Sequence, residues 1–349
     1  MKITKIPGLG RFGVFIDDLD FNNVSDEEWM EIGRLHLESL VTIIRNINTT
    51  PAHYEQQIKK WGSPRRNSDY NLLKKYNTTN IGEIVLNDVV NGKPVDEQDK
   101  KFFEEVRRII PVEEAGPGTD MLRVSGRKDE NGNPLGMFAE GELLWHSNES
   151  GNLVFAPGVS LLGAEGVVGS ATGFVTTPDW YEEQSESFRS ELDEMVIQHT
   201  FTHGRINPGL RPEQDELMYR NMCPFDIELP LVIQSPIGFK GLHYSVNTID
   251  GIVGMTKEES DAVFKQINET LFVEKYIYDH WYQQDNDLCL FDNSVTLHRR
   301  LGGVANRLCY RIQYDYGKIA PNNQPYLKDP WKTLFSKELI DINNALGIK

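Results

Sequence analysis

The sequence predicts a mainly β chain with helical insertions, an α+β arrangement built on a double-stranded β-helix (a jelly roll, cupin-like). Three observations predict it. Short apolar or alternating runs recur from Gly141 onward: Leu143-Leu144-Trp145, Val159 to Ala164, Thr172 to Val175, Leu288 to Phe291 and Leu308 to Tyr314. Helix signals fall mainly before and between these runs. No internal repeat or low-complexity segment divides the chain, so it reads as one domain. Residues 1–140 form its helix-and-strand entry, 141–320 the jelly-roll core with insertions, and 321–349 a C-terminal tail.

Taken in order, Gly13 to Ile16 is a short strand, and Ser25-Asp26-Glu27-Glu28 is a capping box. The helix that follows puts Trp29, Ile32, His36 and Leu40 on one face, and the β-branched run Leu40 to Ile44 is a buried strand. Thr50-Pro51 opens a second helix that runs to Gly62, with proline tolerated at its first position. Residues Ser63 to Asn91 have weak periodicity and suit a surface loop or lid. Asp96 to Ile110 is a helix and Asn131-Gly132-Asn133 a hairpin turn. Trp180 to Met195 is helical, and Gly204 to Leu229 is a long insertion. Thr256-Lys257-Glu258-Glu259 is a second capping box, opening a helix to about Leu271.

Composition excludes several classes. The formal net charge of -16, with no compensating basic stripe, argues against a nucleic-acid partner held through phosphates. No run approaches the roughly 18 apolar residues of a membrane span, and no apolar segment follows Met1, so no membrane partner and a cytoplasmic location are expected. Cys223, Cys289 and Cys309 have neither disulfide nor metal spacing. Cys289 and Cys309, inside apolar strand-like runs, read as buried free thiols. A homo-oligomer is allowed and nothing in the sequence selects it.

The chemistry concentrates in two stretches. One opens Trp145-His146-Ser147-Asn148-Glu149-Ser150 and reaches Thr172; the other runs from Phe291-Asp292-Asn293-Ser294-Val295-Thr296-Leu297-His298 to Arg307 and Arg311. Two histidines on separate strands can present two ligands to one metal, and a third ligand two residues after the first histidine completes one face of an octahedron. Arg307 and Arg311 are four apart, so a strand points both to one side. A guanidinium suits a carboxylate because it makes two parallel charge-assisted bonds. His199 and His203 share a spacing known from zinc sites, but their Thr-Phe-Thr context is strand-like and no glutamate follows the first. His36, His53 and His280 read as packing residues.

The order of these parts resembles the taurine dioxygenase (TauD/TfdA) family of iron(II)- and 2-oxoglutarate-dependent oxygenases, from about residue 10 to about 318. Residues Ala164 to Thr172 are similar to that family's Val-Gly-Gly-Asp-Thr, and Phe291 to His298 to its Trp-Asp-Asn-Arg-Val-Thr-x-His. The resemblance implies that His146 and His298 ligate Fe(II). It also implies that Thr172 and Arg307 anchor the 2-oxoglutarate co-substrate. Arg311 would touch its other carboxylate or an anionic substrate group, Trp145 would wall the site, and His243 would line its substrate side. The substrate implied is a small polar metabolite or amino acid, oxidised with dioxygen.

One residue departs from the family. Asn148 stands where an aspartate or glutamate is usual. Four readings follow: Asn148 coordinates through its oxygen; Glu149 supplies the carboxylate through a bulge; chloride fills the position, as in related halogenases; or the site is degenerate and the chain only binds. Hydroxylation by way of Asn148 or Glu149 ranks first, halogenation second, a degenerate binding protein third.

Overall fold

The computed structural model describes residues 1–64, 72, 75–78, 81–116, 119–139, 141–150, 155–199, 227–303 and 305–320. The expected Gly204–Leu229 insertion falls almost wholly outside these residues. His203, Cys223 and the 321–349 tail lie outside them altogether.

Two helices enter first. Helix α1, Asp26–Ser39, is capped by Ser25, whose hydroxyl accepts from Glu28 N at 3.2 Å. Helix α2, Pro51–Lys59, is capped by Thr50, with proline in its first turn. It stops short of Gly62 because the chain there lies against Asp315: a Cβ on Gly62 would sit 1.7 Å from the Asp315 carbonyl oxygen. Leu40 closes α1 at φ 58° instead of starting the strand, which is Val41–Ile44. The expected single helix over Trp180–Met195 is two, Thr177–Glu183 and Glu186–Glu194. Ser185 interrupts them, because its side chain caps the second by accepting from Phe188 N. The stretch expected as a surface loop also packs: Leu72, Tyr76, Ile84 and Val90 bury against Ile109 and Met137.

The architecture is mainly β with helices, and two sheets dominate. The larger has seven strands in the order Lys2–Lys5, Val14–Asp17, Val41–Ile44, Asp287–Asp292, Gly158–Glu165, Leu308–Tyr314, Leu122–Ser125. All its pairs are antiparallel except Val14–Asp17 with Val41–Ile44. The smaller has four antiparallel strands, Ile277–Trp281, Ser170–Thr176, Thr296–Gly302 and Leu143–His146. From Gly158 on, the chain passes back and forth between the two.

Strand alternation divides the core into layers. One face of the large sheet takes α1 and α2, where Trp29 and Trp61 stack at 4.3 Å above Tyr310, Ile312 and Tyr314. The other face meets the small sheet through Val159, Leu161, Cys289, Phe291 and Phe174. The back of the small sheet, carrying Trp145, Val175 and Leu297, is covered by helix Lys257–Leu271. That helix starts in a complete capping box at Thr256 and Glu259. The polar residues of interest lie between the sheets.

Candidate active site

His146 ends its strand and His298 sits in the next one, directly opposite in register. Their rings are 4.1 Å apart. His146 Nδ1 is 2.7 Å from the Leu144 carbonyl oxygen. A carbonyl only accepts, so Nδ1 carries the proton and Nε2 presents a bare lone pair. Burial pushes the His146 pKa down to about 4, against the Leu144 hydrogen bond and helped by the charges of Arg311 and Arg300. Burial, His146 and Arg311 likewise hold His298 well below the usual histidine range. Both rings are therefore neutral near neutral pH.

Asn148 follows in a turn, not on the strand, so alternation does not place it. Asn293 does. Its Oδ1 accepts from Asn148 N at 2.8 Å, and its Nδ2 donates to the carbonyls of Asn148 at 2.9 Å and Ala156 at 3.0 Å. Asn148 is buried, and its Nδ2 has no hydrogen-bond partner among the described residues. Glu149 takes a left-handed φ of 62°, and its Oε2 accepts from Ala156 N at 3.4 Å. Among the described residues, no group of three or more His, Cys, Asp or Glu stands ready to hold a metal.

A second cluster lies on the same inner face. Thr172 is opposite Arg300, and Phe174 opposite His298. Arg307 is 2% exposed, yet no carboxylate pairs with it among the described residues. Its Nη2 donates to Thr172 Oγ1 at 3.4 Å and its Nε to Cys309 Sγ at 3.0 Å, while Nη1 has no partner among the described residues. Tyr282 completes this wall: its hydroxyl is 3.0 Å from Thr172 Oγ1, and the Arg307 guanidinium lies 5.6 Å from its ring centre. Burying a guanidinium without an anion is expensive. Arg311 extends the inner face, its Nη2 donating to Met137 Sδ at 3.6 Å.

With this geometry in hand, the family comparison decides the kinship. The model for the family described as taurine catabolism dioxygenase TauD, TfdA family matches residues 2–313. The chain is a member of the TauD/TfdA family. No curated protein sequence matches this TauD/TfdA chain. Among solved structures, AAD-2 in complex with Mn(II) and N-oxalylglycine is 18% identical, and the match covers 90% of this chain and 97% of that one, with a TM-score of 0.59. A taurine dioxygenase from Burkholderia xenovorans is 17% identical over 89% of each chain, with a TM-score of 0.57. At such identities the likeness is one of fold.

The residues singled out from this TauD/TfdA sequence distribute as follows. His146, Asn148, His298, Thr172, Arg307 and Arg311 gather between the two sheets. Trp145 does not wall the site. It alternates with His146, so its ring points out of the back of the small sheet, stacked on Phe272 at 5.5 Å and lying 4.3 Å under Arg299. His243 is buried against Phe155, at 4.4 Å between ring centres, near Ser294. His36 packs beside Trp61 and Tyr316, and His280 bonds Asp287 at 3.0 Å. The sequence reading gave no site role to Asn293, Tyr282 or Cys309. The Asp-Asn pair inside the second motif marked Asn293; nothing local marked Tyr282.

Proposed function

We propose that this chain is an iron(II)- and 2-oxoglutarate-dependent dioxygenase that hydroxylates a C–H bond of a small polar metabolite or amino acid. One observation carries the reading: a register-matched histidine pair and a buried, carboxylate-free Arg307 occupy the same inner space. Together, iron(II), 2-oxoglutarate and dioxygen supply the oxidising chemistry, with succinate and carbon dioxide as co-products. His146 would hold the metal through Nε2, since its other nitrogen is committed to Leu144, and His298 would be its partner. Thr172 and Arg307 would take one carboxylate of the co-substrate, which supplies the anion that Arg307 lacks. Arg311, whose charge already bears on both histidines, would face the other carboxylate or an anionic substrate group.

For the third protein position we assign Asn148 rather than Glu149. Asn293 pins the Asn148 backbone, whereas the Glu149 carboxylate is turned toward Ala156. An amide oxygen is a neutral ligand, so the metal is held less tightly than by two histidines and a carboxylate. The alternation of the chain between two facing sheets supports the jelly-roll form of the fold.

The test is anaerobic addition of Fe(II) and 2-oxoglutarate to the purified chain. A visible charge-transfer band that is lost in His298→Ala is expected; a colourless wild-type complex would overturn the proposal. A second reading, halogenation with chloride at the open metal position, is favoured by the lack of a third acid or histidine beside the pair among the described residues. Chloride should then shift that band, and a band indifferent to chloride sinks this reading.

A further inference from the structure

A second histidine pair is tied to the Asn148 segment; the resemblance gives His243 only a place on the substrate side and gives His199 no role. His199 ends the strand Val196–His199, and His243 follows the strand Lys240–Leu242. Both are about 1% exposed. Hydrogen bonds tie the pair to the site on two sides. His243 Nδ1 is 3.4 Å from the Ser294 carbonyl, four residues before His298. His199 Nδ1 is 2.9 Å from Thr248 Oγ1, which is 3.3 Å from Ser150 Oγ, two residues after Asn148. Between these anchors, Val246 N donates to Trp145 O, so the His243–Thr248 segment runs alongside the strand that ends in His146.

The tautomer of His243 is fixed by its neighbour. Ser294 O can only accept, so Nδ1 donates and Nε2 is left as a bare acceptor. That Nε2 is buried and has no hydrogen-bond partner among the described residues, and the same is true of His199 Nε2 and Asn247 Oδ1. Native interiors seldom leave such atoms unsatisfied, because each costs about 1–3 kcal/mol. Burial pushes the pKa of His199 to about 3 and that of His243 to about 4, so both stay neutral at physiological pH and neither can serve an anion as a cation.

We propose that His243 and His199 form a substrate subsite that accepts a hydrogen-bond donor group, an amine, amide or hydroxyl. The occupant's donor satisfies the His243 lone pair, and the Phe155 ring stacked on that imidazole keeps water out. The other end of such a substrate would lie toward His146 and His298. Naming the occupant as substrate rests on the dioxygenase reading; the donor selectivity does not. The Glu149 carboxylate beside Ala156, next in sequence to Phe155, is a reason to test a charged donor as well as a neutral one.

The experiment uses the full chain carrying ¹⁵N-labelled histidine, loaded with zinc(II) and 2-oxoglutarate, and follows the imidazole nitrogens by long-range ¹H–¹⁵N NMR. Acetamide and methylammonium are the donor probes; N,N-dimethylacetamide and tetramethylammonium are matched probes without a donor. Saturable movement of the His243 Nε2 resonance with a donor probe, and at least about tenfold weaker response to its methylated counterpart, is expected. Which donor acts tells neutral from cationic recognition. His243→Phe keeps a flat ring against Phe155, removes the acceptor and should abolish the probe's effect on His199. Equal response to both kinds of probe, or none to either, overturns the proposal. This holds even if His243→Phe does not fold, since the wild-type comparison decides alone. If zinc and 2-oxoglutarate leave His146 and His298 unmoved while donors still bind, the dioxygenase reading fails and the subsite stands.

Discussion

The strand Leu308–Tyr314 has two faces of opposite character. Leu308, Tyr310, Ile312 and Tyr314 point to α1 and α2, in a cluster with Trp29 and Trp61. Arg307, just before the strand, and Cys309 and Arg311 within it point between the sheets, where charge is buried without a carboxylate beside Arg307. The same strand thus packs apolar residues on one side and, in the proposed function, binds on the other. The difference teaches where to look for function: on the face whose polar atoms the fold leaves unsatisfied.

Substitutions on the two faces should therefore fail in different ways. Trp61→Ala removes a fully buried ring stacked on Trp29 and should cost about 3–5 kcal/mol of stability. Chemical denaturation should show the loss, with the 2-oxoglutarate affinity of the folded protein unchanged. Arg307→Met should do the reverse. Losing the partner of a buried carboxylate costs about 2–5 kcal/mol of binding, or at least about thirtyfold in 2-oxoglutarate affinity. The melting temperature should hold or rise, because a buried cation is removed. If Arg307→Met unfolds the chain, the division between the faces is wrong.

The metal end gives a smaller contrast. Asn148→Asp supplies a charged ligand where the backbone is already held, and should tighten divalent metal binding by about tenfold or more, roughly 1.4 kcal/mol. Glu149→Gln should leave it unchanged by calorimetry. The opposite result would move the third ligand to Glu149.

A further contrast lies in the pH dependence. His36, buried on the helix-covered face, has its pKa lowered by burial to about 3, and His243, buried against Phe155, to about 4. In the unfolded chain both return to about 6.5. Between pH 6.5 and about 4 the unfolded state binds protons that the folded state does not, so stability falls as pH falls through that window. The slope approaches about 1.4 kcal/mol per pH unit for each histidine. Denaturation midpoints at several pH values should flatten in His36→Phe; an unchanged slope would remove His36 from the account.

Much of the fold was legible in the sequence, for physical reasons. The strands are short β-branched or alternating runs and the helices start at cap residues, as Ser25, Thr50 and Thr256 show. The break at Ser185 was missed because apolar periodicity continues across it, while the cap is a local hydrogen bond. Motif spacing in the sequence already groups His146, His298, Thr172 and Arg307, which the structure brings to one inner face. Trp145 was misplaced because adjacency in sequence on a strand means opposite faces. Tyr282 acts across 110 residues with no local pattern to mark it, and Asn293 stands inside a motif whose reach across 145 residues to Asn148 the spacing does not reveal.

The Asn293 clamp has a consequence for how this chemistry can change. Because a side chain from the turn between two strands grips the main chain of residue 148, the location of that residue depends little on what it carries. Amide, carboxylate or bare methyl can be fitted there without rebuilding the surrounding sheets. On the proposed assignment of Asn148 to the metal, residue 148 is a replaceable fitting in a fixed socket, and a changed reaction outcome would need a change at that one position while the scaffold stays as it is.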